Sequence, residues 1–170
     1  RGFYNPENTV PPDRPTGYGN TSPAYSFCAH AAEVEVDPET GKVEVIKIVA
    51  AHDIGKAINP MLVEGQIDGG IAMGSGYALL EELKFDNGKT LNPTFAGYKI
   101  LNSTEKPRLH HILIETDDPN GPFGAKGVGE IAMIPTAPAI ANAIYDAVGV
   151  RIKELPISQG KILKALKAKV

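Results

Sequence analysis

A single carboxylate ends a ten-residue segment that is poor in side chains. Residues 121–130 read GPFGAKGVGE, with four glycines and Glu130 as the last residue. Each glycine costs conformational entropy on folding, so four within ten residues indicate either sharp turns or a large group that approaches the backbone closely. In the second case, Glu130 projects into a cavity where no neighbouring side chain crowds it.

Two interpretations of Glu130 are open at this point. Inside a closed site, desolvation raises the pKa of a carboxyl group, which would make Glu130 a competent general base near neutral pH. Alternatively, Glu130 lies in the first turn of the next helix, where negative charge is favoured. The residue types alone favour neither interpretation.

The segment also suggests a phosphate-binding loop, because helix N-termini attract anions. Its spacing does not match the known motifs. Lys126 follows Ala125, and Val128 occupies the position where a P-loop needs a hydroxyl. The G-x-G-x-x-G spacing of dinucleotide-binding loops is absent as well. Taken alone, the segment is as consistent with a structural turn as with a ligand site, and a phosphate-binding module is disfavoured.

Other reactive residue types have simpler explanations. Ser75 in GSG lacks the G-x-S-x-G spacing of a hydrolase nucleophile. The pairs His52-Asp53 and His110-His111 are adjacent in sequence, and adjacent strand residues point to opposite faces, so we predict no metal ligands among them. Cys28 is expected to be a small buried hydrophobe. Because it is the sole cysteine, it has no internal disulfide partner, which fits a cytoplasmic location.

The elements that must position these residues begin with a predicted β-hairpin. In segment 29–37, valines alternate with glutamates, the period of two that is typical of a half-buried strand. Segment 43–53 is more continuously apolar, which indicates a central strand.

Helices and short strands alternate in the rest of the chain. A helix is expected over 61–83, although five glycines weaken it by roughly 1 kcal/mol each relative to alanine. The apolar spacing of TAPAIANAIYDAVG predicts an amphipathic helix that ends at Gly149. Further predicted elements are a hairpin on the Asn-Gly turn in 83–92, a strand in 108–116, a short strand VRIKEL in 150–155 and a terminal helix in 158–169. The predicted fold class is α+β, a mixed sheet with interleaved helices.

Composition excludes several classes of protein. The 170 residues suit one domain with a substantial core. Seventeen basic and twenty acidic residues give a net charge of −3, so no basic excess suggests nucleic acid or a membrane surface. Apolar stretches are interrupted well before the ~18 residues that a membrane-spanning helix needs.

The start of the chain differs from the rest. Five prolines occur within the first 23 residues, and the sequence opens without an initiator methionine. We therefore predict an extended Pro/Gly-rich lead-in over 1–24 and a domain over 25–170. We also expect the chain to be a fragment or one piece of a split subunit.

Four motifs, taken in order, resemble one known family. They are AHDIGKAINPMLVEGQIDGGIAMGSGYALLEEL, LNPTFAGYKI, DPNGPFGAKGVGE and PTAPAIANAIYDAVGVRIKELPI. Together they resemble the C-terminal part of the molybdopterin-binding large subunit of the xanthine dehydrogenase and aldehyde oxidase family, the molybdenum hydroxylases. The resemblance covers roughly residues 25–165, and it implies the fold of that family's C-terminal molybdenum-binding domain.

The resemblance implies an oxidoreductase with a molybdopterin-type molybdenum cofactor, which hydroxylates a carbon of an N-heterocycle or an aldehyde with oxygen taken from water. In that family the Glu of K-G-V-G-E is the general base beside molybdenum, which here is Glu130. The Gln of G-Q-I-x-G-G hydrogen-bonds the pterin, which here is Gln66. The backbone of Gly127, Val128 and Gly129 would also approach the cofactor. Because the cofactor's own dithiolene holds the metal, no protein ligand to it is expected.

The resemblance also implies partners. A complete large subunit is several times longer, so we expect the cofactor to be shared with the remainder of the molybdenum subunit and this chain to be inactive alone. The 2Fe-2S and FAD groups are expected on partner modules, since one cysteine cannot hold a cluster. The remaining partner is a small-molecule substrate. The alternative is a catalytically silent assembly or scaffold domain of the same fold, which would have no need to keep Gln66 and Glu130.

Overall fold

The computed structural model describes residues 2–3 and 9–169, and these form an α+β domain, as predicted. The elements in chain order are β1 (Cys28–Val36), β2 (Val43–Asp53), α1 (Pro60–Leu79), β3 (Phe85–Asp86), β4 (Lys89–Thr90), β5 (Arg108–Ile114), a 3-10 turn (Pro122–Gly124), α2 (Thr136–Val148) and α3 (Gln159–Lys169). Among these described residues, no helix is both long enough and apolar enough to span a bilayer.

The main sheet has the strand order β1-β2-β5 and is mixed. β1 and β2 form the predicted antiparallel hairpin, in which Cys28 lies opposite His52 and Val36 opposite Val43. β5 runs parallel to β2, so β2 is the central strand, as its continuous apolar character indicates. The Asn-Gly turn joins β3 and β4, with both turn residues at positive φ.

The core lies between one face of this sheet and the helices. β2 contributes Ile48 and Ala50, both fully buried, and their neighbours come from α1, α2, α3 and the segments between them. These further core residues are Ile67, Ile71, Ala78, Ala132, Ile140, Ile144, Ile157 and Ile162. Each buried isoleucine stabilises the fold by about 1.5–3 kcal/mol relative to an exposed one.

Local sequence explains how the two site-bearing helices begin and end. The side chain of Asn59 accepts a hydrogen bond from the backbone N–H of Leu62, and Pro60 follows at the first helical position. α2 ends at Gly149, whose φ of 66° is the left-handed conformation that glycine adopts without strain. α1 ends at Leu79, four residues before the predicted end at 83.

One predicted element is wrong. The segment 150–155 (VRIKEL) forms no strand, although its alternation of apolar and charged residues suggested one. Val150 is buried and Ile152 packs against the core, so the apolar residues of the alternation do lie on a buried face of the segment. The segment does not join the three strands of the main sheet, and side-chain periodicity alone does not create a strand without a partner.

Two glycines of α1 allow an unusually close contact with the segment that leads into α2. A Cβ atom at Gly70 would lie 2.7 Å from the Cβ of Ala132, and one at Gly74 would lie 2.6 Å from the Cβ of Thr136. Such distances are not accommodated without movement of the backbone. These glycines therefore weaken α1 locally but bring it against residues 132–136.

A buried ion pair connects residues 121–130, the glycine-rich segment, to the end of β2. Lys126 Nζ lies 2.6 Å from Asp53 Oδ2, and the two side chains are only 7% and 10% exposed. The backbone N–H of Lys126 also donates to the carbonyl of Ile54. Burial raises the pKa of the Asp53 carboxyl, but hydrogen bonds from Lys126 and from the N–H of Gly55 outweigh it, so the net pKa lies below its ordinary value.

Part of the predicted lead-in lies within the described residues. Val10 and Asn20 form an isolated antiparallel bridge, with Val10 N–H donating to the carbonyl of Asn20 at 2.7 Å. Residues 1 and 4–8 lie outside the described part. The domain boundary between residues 24 and 25 stays a prediction.

The close contact of α1 predicts opposite effects at two adjacent glycines. Gly70→Ala should lower the free energy of unfolding by about 1–3 kcal/mol, because its methyl group meets Ala132. Gly69→Ala is the matched control, since a Cβ there has no neighbour within 4 Å. It should raise stability by up to about 1 kcal/mol through helix propensity. Urea unfolding of the three proteins measures both, and equal effects would contradict the packing argument.

The Asp53–Lys126 pair predicts a strongly non-additive mutant cycle. Lys126→Met leaves a buried carboxylate unpaired and should cost about 3–5 kcal/mol at neutral pH, whereas Asp53→Leu combined with Lys126→Met should recover most of that loss. Because the pKa of Asp53 is lowered, the pair stabilises the fold above the unfolded-state pKa. Its contribution is lost as pH falls through the folded-state pKa, so the parent and Lys126→Met should converge in acid. A constant difference in urea unfolding from neutral to acid pH would exclude the ion pair as the cause.

Candidate functional site

Glu130 is exposed and lies before α2 rather than within it. α2 begins at Thr136, its first turn contains no acidic residue, and turn residues 131–135 separate it from Glu130. The interpretation of Glu130 as a first-turn helix residue is therefore wrong, because the chain makes a further turn before the helix starts. The Glu130 carbonyl accepts from the N–H of Met133 at 3.1 Å, and its side chain has no hydrogen-bond partner among the described residues.

The residues before Glu130 alternate between inward and outward positions. Val128 packs its side chain against the hydrophobic core, whereas Gly127 and Gly129 are exposed on either side of it. The backbone N–H groups of 127–130 donate no hydrogen bond to any residue that the structure describes. The segment thus presents a row of free donors outward while Val128 holds it to the domain.

Gln66 lies just before the part of α1 that contacts residues 132–136. It is exposed and one helical turn before Gly70, which contacts Ala132. Gly74, one turn later in α1, contacts Thr136, so α1 and residues 132–136 run in the same direction. Gln66 and Glu130, which precedes Ala132 by two residues, therefore lie at the same end of this contact. The structure therefore places Gln66 one helical turn before, and Glu130 two residues before, the same contact of Gly70 with Ala132.

Two alternate residues near the start of β1 contact backbone carbonyls of residues 127–131. Ser26 Oγ donates to the carbonyl of Gly127 at 3.2 Å, and Cys28 Sγ contacts the carbonyl of Ile131 at 3.7 Å. Cys28 is half-buried rather than fully buried, and burial raises the pKa of its thiol. The contacts of Ser26 and Cys28 with this segment were not predicted from the sequence. The signal available was their period-two spacing with His30 at the start of a predicted strand.

Two histidines and a threonine continue this arrangement into the core. His30 Nδ1 lies 3.2 Å from Thr136 Oγ1, and His30 Nε2 lies 2.8 Å from His52 Nε2. Thr136 Oγ1 in turn donates to the carbonyl of Ala132 at 2.9 Å. Burial, and then the neighbouring His52, lower the pKa of His30 to about 4, so the ring is neutral near pH 7.

Among the described residues, the histidines make hydrogen bonds and ion pairs rather than a metal site. His111 pairs with Asp68 at 2.7 Å, and Lys106 reaches the same carboxylate at 2.6 Å. No group of three or more potential ligands has metal-binding geometry within residues 2–3 and 9–169. His52 is a fully buried core residue, and its Nδ1 has no hydrogen-bond partner in that part of the chain.

The residues around Glu130 and Gln66 fit a bulky, flat, hydrogen-bonding cofactor. Four glycines near them have open space where a Cβ would stand and no positive φ, so neither the chain's own packing nor its turns require glycine there. They are Gly65, Gly69, Gly127 and Gly129. The available groups are the amide of Gln66 and backbone N–H donors, which suit a pterin better than a bare metal ion. A groove of about 520 Å³ between residues 22–26 and the glycine-rich segment is lined by two of these glycines, Gly127 and Gly129.

Known proteins with similar sequences and structures carry the same domain. A family model for the molybdopterin cofactor-binding domain matches residues 1–107. The putative xanthine dehydrogenase molybdenum-binding subunit XdhA of Escherichia coli K12 is 35% identical over 162 residues, which cover 94% of this chain and 22% of that protein. The aldehyde oxidoreductase molybdenum-binding subunit PaoC of the same organism is 37% identical over 155 residues, which cover 88% of this chain and 21% of that protein.

A solved structure agrees with these relatives. The aldehyde oxidoreductase from Desulfovibrio gigas superposes with a TM-score of 0.85 at 37% identity, over 94% of this chain and 17% of that one. The chain thus spans about a fifth of the length of the curated relatives it matches. Together with the open, glycine-lined surface around Glu130, these matches confirm the resemblance found in the motifs: the chain belongs to the molybdopterin cofactor-binding domain family, in the molybdenum-binding subunits of the xanthine dehydrogenase and aldehyde oxidase type.

Proposed function

We propose that this chain forms one wall of the cofactor site of a molybdenum hydroxylase, with Glu130 as the general base. The observation that carries the proposal is that the backbone N–H groups of 127–130 donate to no described residue, next to an exposed Glu130. This stretch shortly precedes Ala132, which contacts Gly70 of α1 one helical turn after Gln66. A bound cofactor would supply the redox-active molybdenum at which a substrate carbon is hydroxylated with oxygen from water.

Each of these residues has a distinct task in the proposal. The side-chain amide of Gln66 hydrogen-bonds the pterin, and the N–H groups of Gly127, Val128 and Gly129 donate to the cofactor at close range. The Glu130 carboxylate accepts the proton that the water-derived oxygen loses as it forms its bond to the substrate carbon. The absence of side chains at Gly127 and Gly129 permits the close approach that this transfer requires.

The framework below the segment supports the assignment of Glu130 as base. A general base must be held within hydrogen-bond reach of the proton that it accepts. The buried Lys126–Asp53 pair and the core contacts of Val128 limit movement of the segment, while Glu130 itself makes no competing ion pair among the described residues. An exposed carboxylate on a rigidly anchored segment suits a site that is closed by a second wall.

The remaining part of the proposal concerns substrate and partners. The relatives' names include xanthine dehydrogenases and aldehyde oxidoreductases, which supports an N-heterocycle or an aldehyde as the substrate class. Because the chain spans about a fifth of those proteins, we propose that the second wall comes from the rest of the molybdenum subunit and that the chain alone is inactive. Modules with 2Fe-2S and FAD would carry the electrons onward, in the cytoplasm.

The Glu130 assignment predicts a large loss of turnover. Glu130→Gln preserves size but cannot accept the proton, so kcat per molybdenum atom in the assembled enzyme should fall by about 10²–10⁴-fold, with cofactor content unchanged. Glu33→Gln, at an exposed acidic residue of β1, is the matched control and should leave kcat unaltered. Parent-like turnover of Glu130→Gln would reject the base assignment and favour the silent scaffold alternative.

The Gln66 assignment predicts a different defect. Gln66→Ala removes a pterin contact, so the molybdenum and pterin content per subunit should fall, with a smaller effect on kcat per molybdenum atom. The matched control is Gln159→Ala, at the start of α3. Metal analysis and pterin fluorescence measure occupancy independently of turnover. Full occupancy in Gln66→Ala would remove this residue from the proposed site.

A further inference from the structure

The hydrogen bonds between His52, His30, Thr136 and Ala132 form a continuous chain that ends two residues from Glu130. His52 is fully buried and Thr136 is fully buried, so bulk water does not replace these bonds. The three links measure 2.8, 3.2 and 2.9 Å. Their proton positions follow from counting donors.

The threonine defines the direction of the first two bonds. Its hydroxyl has a single proton, and that proton is donated to the carbonyl of Ala132, which cannot donate in return. At the contact between His30 Nδ1 and Thr136 Oγ1, the proton must therefore belong to His30 Nδ1. The neutral His30 ring then has no proton on Nε2.

The second histidine must supply the missing proton. His52 Nε2–H donates to the bare Nε2 of His30 across 2.8 Å. Burial, and then the charge of His111, lower the pKa of His52, so its ring is also neutral and its Nδ1 is an unprotonated acceptor. If every hydrogen bond in this series were donated in the opposite direction, His52 Nδ1 would be a buried donor without a described partner. The carbonyl of Ala132 would also lose its hydrogen bond. Unpaired buried donors are rarer than unpaired acceptors, which favours the first direction.

This series of hydrogen bonds is the innermost of three contacts between β1 and the backbone of residues 127–132. Ser26 and Cys28 contact the carbonyls of Gly127 and Ile131, and His30, two residues further along β1, acts on Ala132 through Thr136. The Ser26 contact is exposed and a thiol is a weak donor, whereas His52 and Thr136 are fully buried and donor counting favours one proton arrangement among these three side chains. It is therefore the attachment best able to orient the backbone that carries Glu130.

We propose that His30 and His52 are positioning residues for Glu130: acting through Thr136, they hold the carbonyl of Ala132 in place and so orient the carboxylate. This inference rests on the proposed function of Glu130 as base. It assigns a role to buried polar residues that an apolar core would not need.

The first test compares two replacements of Thr136 in the assembled enzyme. Thr136→Val keeps the shape but removes both hydrogen bonds, and kcat per molybdenum atom should fall about 10–100-fold, as expected for a misplaced catalytic group. Thr136→Ser keeps the hydroxyl and should recover most of that turnover. Cofactor content should be the same in both. Equal turnover in the two variants would overturn the inference.

Double variants separate positioning from a general loss of stability. As a single variant, His30→Leu should lower kcat. Combined with Thr136→Val it should lower kcat little further, because both substitutions break the same series of hydrogen bonds. Thr136→Val should likewise add little in a Glu130→Gln background. Independent, multiplying effects in either pair would overturn the inference.

Neutron diffraction from crystals of the same enzyme tests the proton positions without any activity measurement. Deuterium is expected on His30 Nδ1 and His52 Nε2, and not on His52 Nδ1. Deuterium on His52 Nδ1 and on His30 Nε2 would overturn the inference.

Two outcomes of the kinetic tests distinguish this inference from the proposed function. If Glu130→Gln lowers turnover and Thr136→Val does not, the inference alone fails. If Glu130→Gln is as active as the parent, the base assignment fails and the positioning role falls with it.

Discussion

The close contact between α1 and residues 132–136 is the constraint on which the candidate site depends. It exists because Gly70 and Gly74 have no side chains where Ala132 and Thr136 press against the helix. A larger residue at either position would push the two elements apart. The packing that follows Gln66 on α1 and Glu130 on the other segment would then be lost. The cost in helix propensity, roughly 1 kcal/mol per glycine, is offset by this arrangement.

Buried polar groups hold an exposed segment in place below that contact. The Lys126–Asp53 pair fixes the glycine-rich segment to the end of β2, and the histidine chain reaches it from β1 through α2. Such groups are costly to bury unless each is paired, which they largely are. They fix the orientation of the segment, because a hydrogen bond restricts orientation more than apolar packing does. An enzyme wall that presents backbone donors to a cofactor requires this kind of rigidity.

The two sides of the segment have opposite character. Inward, Val128 joins the hydrophobic core and polar side chains contact backbone carbonyls. Outward, exposed glycines, free N–H groups and Glu130 face away from the domain. This polarity fits the proposed role of the segment as one wall of a shared site. It agrees with a chain that spans about a fifth of its relatives' length.

Local patterns in the sequence determined the hairpin, the central strand, the Asn-Gly turn and the end of α2 at Gly149, because period, turn chemistry and capping act over a few residues. The same reasoning failed for 150–155, where alternation predicted a strand that has no partner in the sheet. The motifs also identified Gln66 and Glu130 as site candidates. Only the tertiary structure decided that both precede one contact, that of Gly70 with Ala132, and that Lys126 pairs with Asp53 across 73 positions and His30 with Thr136 across 106. Contacts over such separations depend on how glycine-lined and buried surfaces pack, and no local pattern encodes that packing.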